Sequence, residues 1–369
     1  NQFIEESDRL REYKAKITGD DKTEVFPWER LYYSELLRRE KYDFDEESLR
    51  PYFPVDKVMH GVFTIASTLY GMEVKEKPTF YRQTVADSID EGKVEVWHPD
   101  VKYYEVFDKK SGDMIGGFYA DWHPREDKRS GAWHHSFYNL YPSNPRNLST
   151  ICGNIQKPLG GKPALLNHSE VETIFHEFGH MCHALLTKAT VRTFSGTKVA
   201  RDFVEFPSRF LENWTWERSA LDLFAAHFET GEKIPDEIFN KMISAKNYNS
   251  ATFMMRQLSF GKIDLEIHHH FEKYQNMNVD QINDLVLADY IEKCSVKRTS
   301  ILYSFGHLFN SSVGYAAGYY SYMWAKELEA DAFTRFKKEG ILNENVGKEF
   351  RDKILIWGNS KRPDQLFRD

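Results

Sequence analysis

The sequence is poor in cysteine: Cys152, Cys182 and Cys294 are the three in 369 residues. An odd, widely spaced set does not describe a disulfide framework, and it points to a reducing compartment, the cytoplasm or an organelle matrix, rather than to secretion. No run of about 18 apolar residues exists, so no membrane-spanning helix is expected. Excess positive charge is also lacking. The net charge is -7, and the short basic cluster Arg125 to Arg129 is mixed with acids, which leaves no electrostatic footprint for nucleic acid. Internal repeats and low-complexity linkers are missing, which excludes a repeat array. The opening Asn1-Gln2-Phe3-Ile4-Glu5-Glu6 is neither a secretory signal nor a basic transit peptide, and the absent initiator Met reads as a cut or truncated chain.

What is present is a globular composition, 41% apolar and 28% charged, on a chain long enough to bury one large or two ordinary cores. Aromatic residues reach 15%. Some could line a cleft that grips peptide side chains, but filling a helical core accounts for the excess more simply.

Apolar positions at three and four spacing predict helices over Phe3 to Ile17, Trp28 to Tyr42 and Pro54 to Tyr70. The character then changes. Val101 to Phe107 and Met114 to Asp121 are rich in aromatic and β-branched residues and flank Lys110-Ser111-Gly112-Asp113, a hairpin signal. A further strand is expected around Thr150 to Ile155, before the loop Lys157 to Pro163. From residue 168 the pattern is helical again, with breaks at Gly231 to Pro235, Asn276 to Val279, Gly340 and Gly358. The reading is a single mainly α catalytic domain over 1–369: helical over 1–90, with a small β-containing segment over 93–160 and a helical core over 164–369.

The strongest local signal is His176-Glu177-Phe178-Gly179-His180. Ser169 and Glu172 read as a capping box, so a helix should begin near Glu170. Val171, Ile174, Phe175, Phe178, Cys182 and Leu185 then form one apolar stripe, and His176, His180 and His183 project from the other side. Spacing of four places two imidazoles one turn apart, close enough to share one tetrahedral zinc ion. Glu177 adjoins the first ligand and can reach the open fourth position, the place of a general base. His183 reads as a supporting or cleft residue rather than a ligand. Gly179 costs roughly 1 kcal/mol relative to Ala inside a helix, which suggests close backbone approach by a strand or a substrate.

A structural zinc normally has four protein ligands, often thiolates, and Cys182 on the buried stripe is poorly aimed. The metzincin continuation fails, because His183 and Leu186 occupy the positions of its glycine and third histidine. Carboxylates are the alternative third ligand. In Asp202-Phe203-Val204-Glu205-Phe206-Pro207, Pro207 marks the first turn of a helix, and Glu205 and Glu212 lie two turns apart on one face with Ser208 and Arg209. Spacing does not choose between them. Oxyanion donors are suggested by Gly314-Tyr315-Ala316-Ala317-Gly318-Tyr319-Tyr320-Ser321-Tyr322, where Tyr315 and Tyr322 are seven apart and share a face if the segment is helical. His307, upstream, is ambiguous by itself.

These pieces together resemble the thimet oligopeptidase family of zinc metallopeptidases, its oligopeptidase A-like members in particular. The resemblance runs over nearly the whole chain. It includes Leu49-Arg50-Pro51-Tyr52-Phe53-Pro54, Trp97-His98-Pro99-Asp100-Val101, Lys162-Pro163-Ala164-Leu165-Leu166, His176 to His180, Phe194-Ser195-Gly196-Thr197, Asp202 to Glu205, Glu212-Asn213-Trp214 and Tyr315 to Tyr322. It implies a multi-helical zincin-like domain with a small sheet beside the active-site helix. It also implies one Zn2+ on His176, His180 and Glu205, with Glu177 as base, Tyr315 and Tyr322 on the scissile carbonyl and its oxyanion, and His307 nearby. The strand near Ile151 to Ile155 would pair with an extended peptide substrate. Family chains are much longer, and this one lacks most of the N-terminal half that supplies the opposing channel wall. Phe309 to Val313 also replaces the family's glycine-rich turn and lengthens the gap from His307 to Tyr315.

The expected activity is hydrolysis of short unstructured peptides by a chain that is monomeric, binds neither nucleic acid nor membrane, and pairs with the missing N-terminal half of its fold. The alternatives are a dipeptidyl carboxypeptidase, and a truncated fragment that binds zinc and peptide with weak turnover.

Overall fold

The computed structural model describes residues 2–84, 90–138, 146–292, 294–296, 298–311 and 314–368. It is mainly α-helical with a small mixed sheet. Contacts divide the chain into two compact units, Asn1–Asp45 with Asp236–Trp324, and Glu46–Pro235 with Ala325–Asp369.

The second unit contains the sheet. Among the described residues its strands run in the spatial order Met72–Lys77, Lys102–Asp108, Met114–Asp121, Asn147–Cys152, Trp133–Tyr138. The expected hairpin is present: Lys102–Asp108 pairs antiparallel with Met114–Asp121. Its turn is fixed by Asp108, whose Oδ1 accepts the Lys110 and Ser111 amides at 3.0 Å each, and by Gly112 at φ +76, a left-handed value that glycine adopts without steric cost. The strand expected at Thr150 to Ile155 runs instead over Asn147–Cys152, parallel to Met114–Asp121 on one side and antiparallel to Trp133–Tyr138 on the other. Strands at Met72–Lys77 and Thr79–Tyr81 lie in the stretch read as helical, and a third, Val94–Val96, pairs with Thr79–Tyr81.

Two packed layers hold this unit together. The helices Val55–Tyr70 and His168–Leu185 supply apolar faces whose Val58, Val62, Ile65, Val171 and Phe175 are fully buried, as are Phe118, Val106 and Ile151 of the sheet. Phe178 bridges them, with ring centroids 5.6 Å from Phe63 and 6.1 Å from Phe118. A second cluster is aromatic throughout. Phe210 stacks on Phe350 at 4.1 Å and meets Trp214 and Phe336 at 5.1 and 5.4 Å. Much of the aromatic content therefore fills core, where each buried ring removes some 150–250 Å² from water.

In the first unit the helices Gln2–Thr18 and Arg30–Tyr42 match two of those that the three and four spacing predicts, and Ser250–His269 and Val279–Val286 lie in the later stretch read as helical. A hydrophobic core built from Ser250–His269, Val279–Val286 and the segments that follow them gathers Ile263, Tyr274, Val286, Leu287, Phe305, Leu308 and Tyr319. Glu6 caps the Ser250–His269 helix from another helix, its Oε2 accepting from the Thr252 amide at 2.7 Å and hydroxyl at 2.8 Å. No helix among the described residues is long and apolar enough to cross a membrane.

Candidate metal centre and active site

The His168–Leu185 helix starts from a capping box, but two residues earlier than expected. Asn167 Oδ1 accepts the Glu170 amide and Glu170 Oε2 accepts the Asn167 amide, both at 2.8 Å. Ser169 and Glu172 are not the box: Ser169 sits inside the first turn, and Glu172 instead receives the Trp216 indole N–H at 2.7 Å. The expected stripe Val171, Ile174, Phe175, Phe178, Cys182 and Leu185 is at most 1% exposed, which fixes the helix's rotation and turns His176 and His180 to the opposite face.

Gly179 sets how close the next helix comes. A Cβ there would lie 2.6 Å from Ser208 Cα and 2.7 Å from the Pro207 carbonyl oxygen, distances that real Cβ atoms do not tolerate. The close approach is thus made by the helix Phe206–Glu212, not by a strand or a substrate. That approach brings Glu205, at the start of the second helix, onto the histidines. Glu205 Oε2 lies 3.3 Å from His176 Nε2 and 3.1 Å from His180 Nε2, and Ser208 Oγ donates to the same oxygen at 3.1 Å.

Glu212, the other carboxylate that spacing allowed, sits behind the first histidine. Its Oε1 is 2.6 Å from His176 Nδ1, and its Oε2 accepts from Arg209 at 3.2 Å. A carboxylate on Nδ1 takes that nitrogen's proton as a hydrogen bond and leaves Nε2 with the lone pair a metal needs. The donor set of two imidazole Nε2 atoms and one carboxylate oxygen, all within 4.8 Å of one another, therefore fits a zinc ion of the three-ligand type. The electrostatics point the same way. Burial pulls the His176 pKa down, but hydrogen bonds to Glu205 and Glu212 push it up to about 10. Burial pulls the Glu205 pKa up, but His180 and His176 hold it well below the usual carboxylate range. The spot attracts positive charge.

Glu177 is 6% exposed, and its Oε2 has no hydrogen-bond partner among the described residues. Burial raises its pKa above that of an ordinary glutamate, against the opposing pull of His176 and His180. Such a carboxylate accepts a proton more readily at neutral pH than an exposed one. His183 is fully buried rather than cleft-lining, with neither ring nitrogen partnered among the described residues. Burial and the nearby His180 push its pKa down to about 3, so its ring is neutral.

His134 escaped the sequence reading. It lies on Trp133–Tyr138 with its ring centroid 6.2 Å from that of His180, and its Nε2 is buried without a partner among the described residues. A single histidine in an aromatic strand carries no periodic signal, so only the sheet order reveals it. The same order corrects the expected peptide-pairing strand: Asn147–Cys152 has neighbours on both sides, and the outermost strand there is Trp133–Tyr138.

The tyrosine segment belongs to the first unit and is not one helix. Tyr315 to Tyr320 form turns, Ala317 has φ +54, and the helix begins only at Ser321. Tyr315 and Tyr322 nevertheless meet, their rings stacked at 5.3 Å and 19°. His307 joins them at 5.8 Å from Tyr315 and 6.2 Å from Tyr322. Of the segment Phe309 to Val313, residues 312 and 313 lie outside the described residues.

Known proteins resemble the chain over nearly its whole length. Oligopeptidase A of Escherichia coli is 40% identical over 367 residues, covering 98% of this chain and 51% of that protein. Organellar oligopeptidase A of Arabidopsis thaliana is 36% identical over 386 residues, covering 99% and 46%. Dipeptidyl carboxypeptidase of Escherichia coli is 36% identical over 346 residues, covering 93% and 48%. The chain thus spans about half the length of these relatives. Residues 1–369 match the family described as Peptidase family M3 throughout, and the chain belongs to that family.

Proposed function

We propose that this chain carries the catalytic centre of a zinc-dependent oligopeptidase that hydrolyses peptide bonds in short, unstructured peptides. One observation carries the reading: the convergence of His176, His180 and Glu205 on a single point, with a Glu177 carboxylate oxygen that has no partner among the described residues one residue from the first donor. His176, His180 and Glu205 would hold the ion, and Glu212 would keep His176 in the ligating tautomer. Zinc bound there supplies Lewis acidity that polarises a carbonyl and lowers the pKa of water toward about 7. Glu177 accepts the proton of the attacking water, and it delivers that proton to the amine nitrogen as the C–N bond breaks. Tyr315 and Tyr322 donate hydrogen bonds to the oxygen that gains negative charge, with His307 as their neighbour. Extended peptide pairs with the outer edge of Trp133–Tyr138 by strand addition. The Cys152, Cys182 and Cys294 thiols are all free, which supports a reducing compartment.

Incubating the purified, zinc-loaded chain with a quenched short peptide, with and without a chelator, tests the reading. Cleavage that stops with chelator is expected. Metal-independent cleavage contradicts it, and zinc and peptide binding without cleavage supports the alternative of a binding fragment that needs the other half of its fold. A second mode, release of C-terminal dipeptides, is favoured by the relatives named dipeptidyl carboxypeptidase at 36% and 35% identity. Mass spectrometry of the products separates internal cuts from dipeptide release.

A further inference from the structure

Asp264 is fully buried in the C-terminal half of the Ser250–His269 helix, yet it carries a carboxylate. Burial of such a group is unfavourable unless hydrogen bonds replace its water. Its partners lie on the tyrosine segment: Oδ1 accepts the Ala317 amide and Oδ2 the Tyr319 amide, each at 2.8 Å. His268 Nδ1 lies 2.9 Å from Oδ1 on the same helix. The two amides flank Gly318, whose own N–H bonds the Tyr315 carbonyl at 2.8 Å. This closes a turn with Ala317 at its third position. Ala317 has φ +54, a left-handed value that a residue with a Cβ adopts only against resistance. Something outside the turn must hold it, and Asp264 is placed to do so from both sides.

We infer that Asp264 is a positioning residue: by pinning the Ala317 and Tyr319 amides it imposes the turn that stacks Tyr315 on Tyr322 and aims their hydroxyls. This rests on the proposed part of those tyrosines in peptide hydrolysis. Without the clamp, Ala317 relaxes to negative φ, Tyr315 swings away from Tyr322, and the hydroxyl pair loses its geometry while the zinc donors keep theirs. Displacement of a catalytic group by about 1 Å costs on the order of 100-fold in rate.

The test uses the zinc-loaded chain. In the wild type, hydrogen exchange resolved to single amides should show Ala317 and Tyr319 protected, and fast exchange at both overturns the clamp without any variant. Asp264→Asn should lose that protection and about 100-fold in kcat, with KM within about threefold and zinc content unchanged. Adding Ala317→Gly, which makes the left-handed turn accessible without a clamp, should recover much of the lost kcat. A merely structural role for Asp264 predicts no such rescue. Full kcat in folded Asp264→Asn, or a loss the added glycine does not mend, overturns the inference. Tyr322→Phe separates it from the reading beneath: full turnover in that variant removes the tyrosines from the reaction, whereas an inactive Tyr322→Phe beside a fully active Asp264→Asn leaves the tyrosines their part and ends the clamp.

Discussion

The candidate metal centre and the tyrosine cluster are built by opposite means. At the candidate metal centre two regular helices meet: a spacing of four along one sets His176 and His180, and a helix junction presents Glu205. At the tyrosine cluster the chain is irregular, Ala317 holds a left-handed φ, and the shape depends on a carboxylate more than fifty positions upstream. A site made of helix spacing is rigid and visible in sequence. One made of a pinned turn is conditional on a contact that no local pattern announces.

Substitutions break this contrast with graded effects. Glu177→Gln should keep zinc and lose about 10²–10⁴-fold in kcat, because the amide cannot take the proton; turnover near wild type by single-turnover kinetics would remove Glu177 from the reaction. Glu212→Gln should weaken zinc binding about 10–100-fold, since the amide no longer fixes the His176 tautomer through the 2.6 Å contact. Competition with a fluorescent chelator measures this, and unchanged affinity would show that Glu212 only packs. Gly179→Ala should destabilise the chain by about 1–3 kcal/mol, because the added methyl meets Ser208 Cα at 2.6 Å. Thermal denaturation reads the loss, and an unchanged midpoint would mean that the helix pair can slide apart without cost.

The smallest effect concerns acid. Asp121 is 2% exposed. Burial opposes its ionisation, yet hydrogen bonds from Arg125, Lys128 and Trp97 bring its pKa down to about 2. A depressed folded pKa gives stability that is present above the unfolded value near 3.9 and is lost as pH falls through about 2. The contribution is on the order of 2 kcal/mol. Asp121→Asn should therefore flatten the fall in stability between about pH 4 and pH 2, as followed by urea denaturation. An identical pH profile in the variant would place the acid sensitivity elsewhere.

The sequence carried much of the second unit. The stripe from Val171 to Leu185 predicted the rotation of the His168–Leu185 helix because a 3.6-residue period has few solutions in a buried face, and Lys110-Ser111-Gly112-Asp113 announced its hairpin. Misreadings arose where physics is local on one side and tertiary on the other. Asn167 displaced Ser169 as cap because both are good caps and only the chain's entry direction chooses. Four of the six residues of Met72 to Lys77 are charged, and the segment forms an edge strand through its pairing with Lys102–Asp108, not through its own composition. Glu205 and Glu212 share one helical face, so spacing left both open, and the close approach at Gly179 brings one carboxylate to Nε2 and the other to Nδ1. The Tyr315 to Tyr322 spacing suggested a helix, while the carboxylate of Asp264 supplies the bonds for a turn.

The central claim is that His176, His180 and Glu205 hold one zinc ion. Elemental analysis after reconstitution with zinc and gel filtration tests it most directly. The account predicts one zinc per chain in the wild type and in Glu177→Gln, with none retained by His180→Ala or Glu205→Ala. Stoichiometric zinc in Glu205→Ala, or none in the reconstituted wild type, would contradict it.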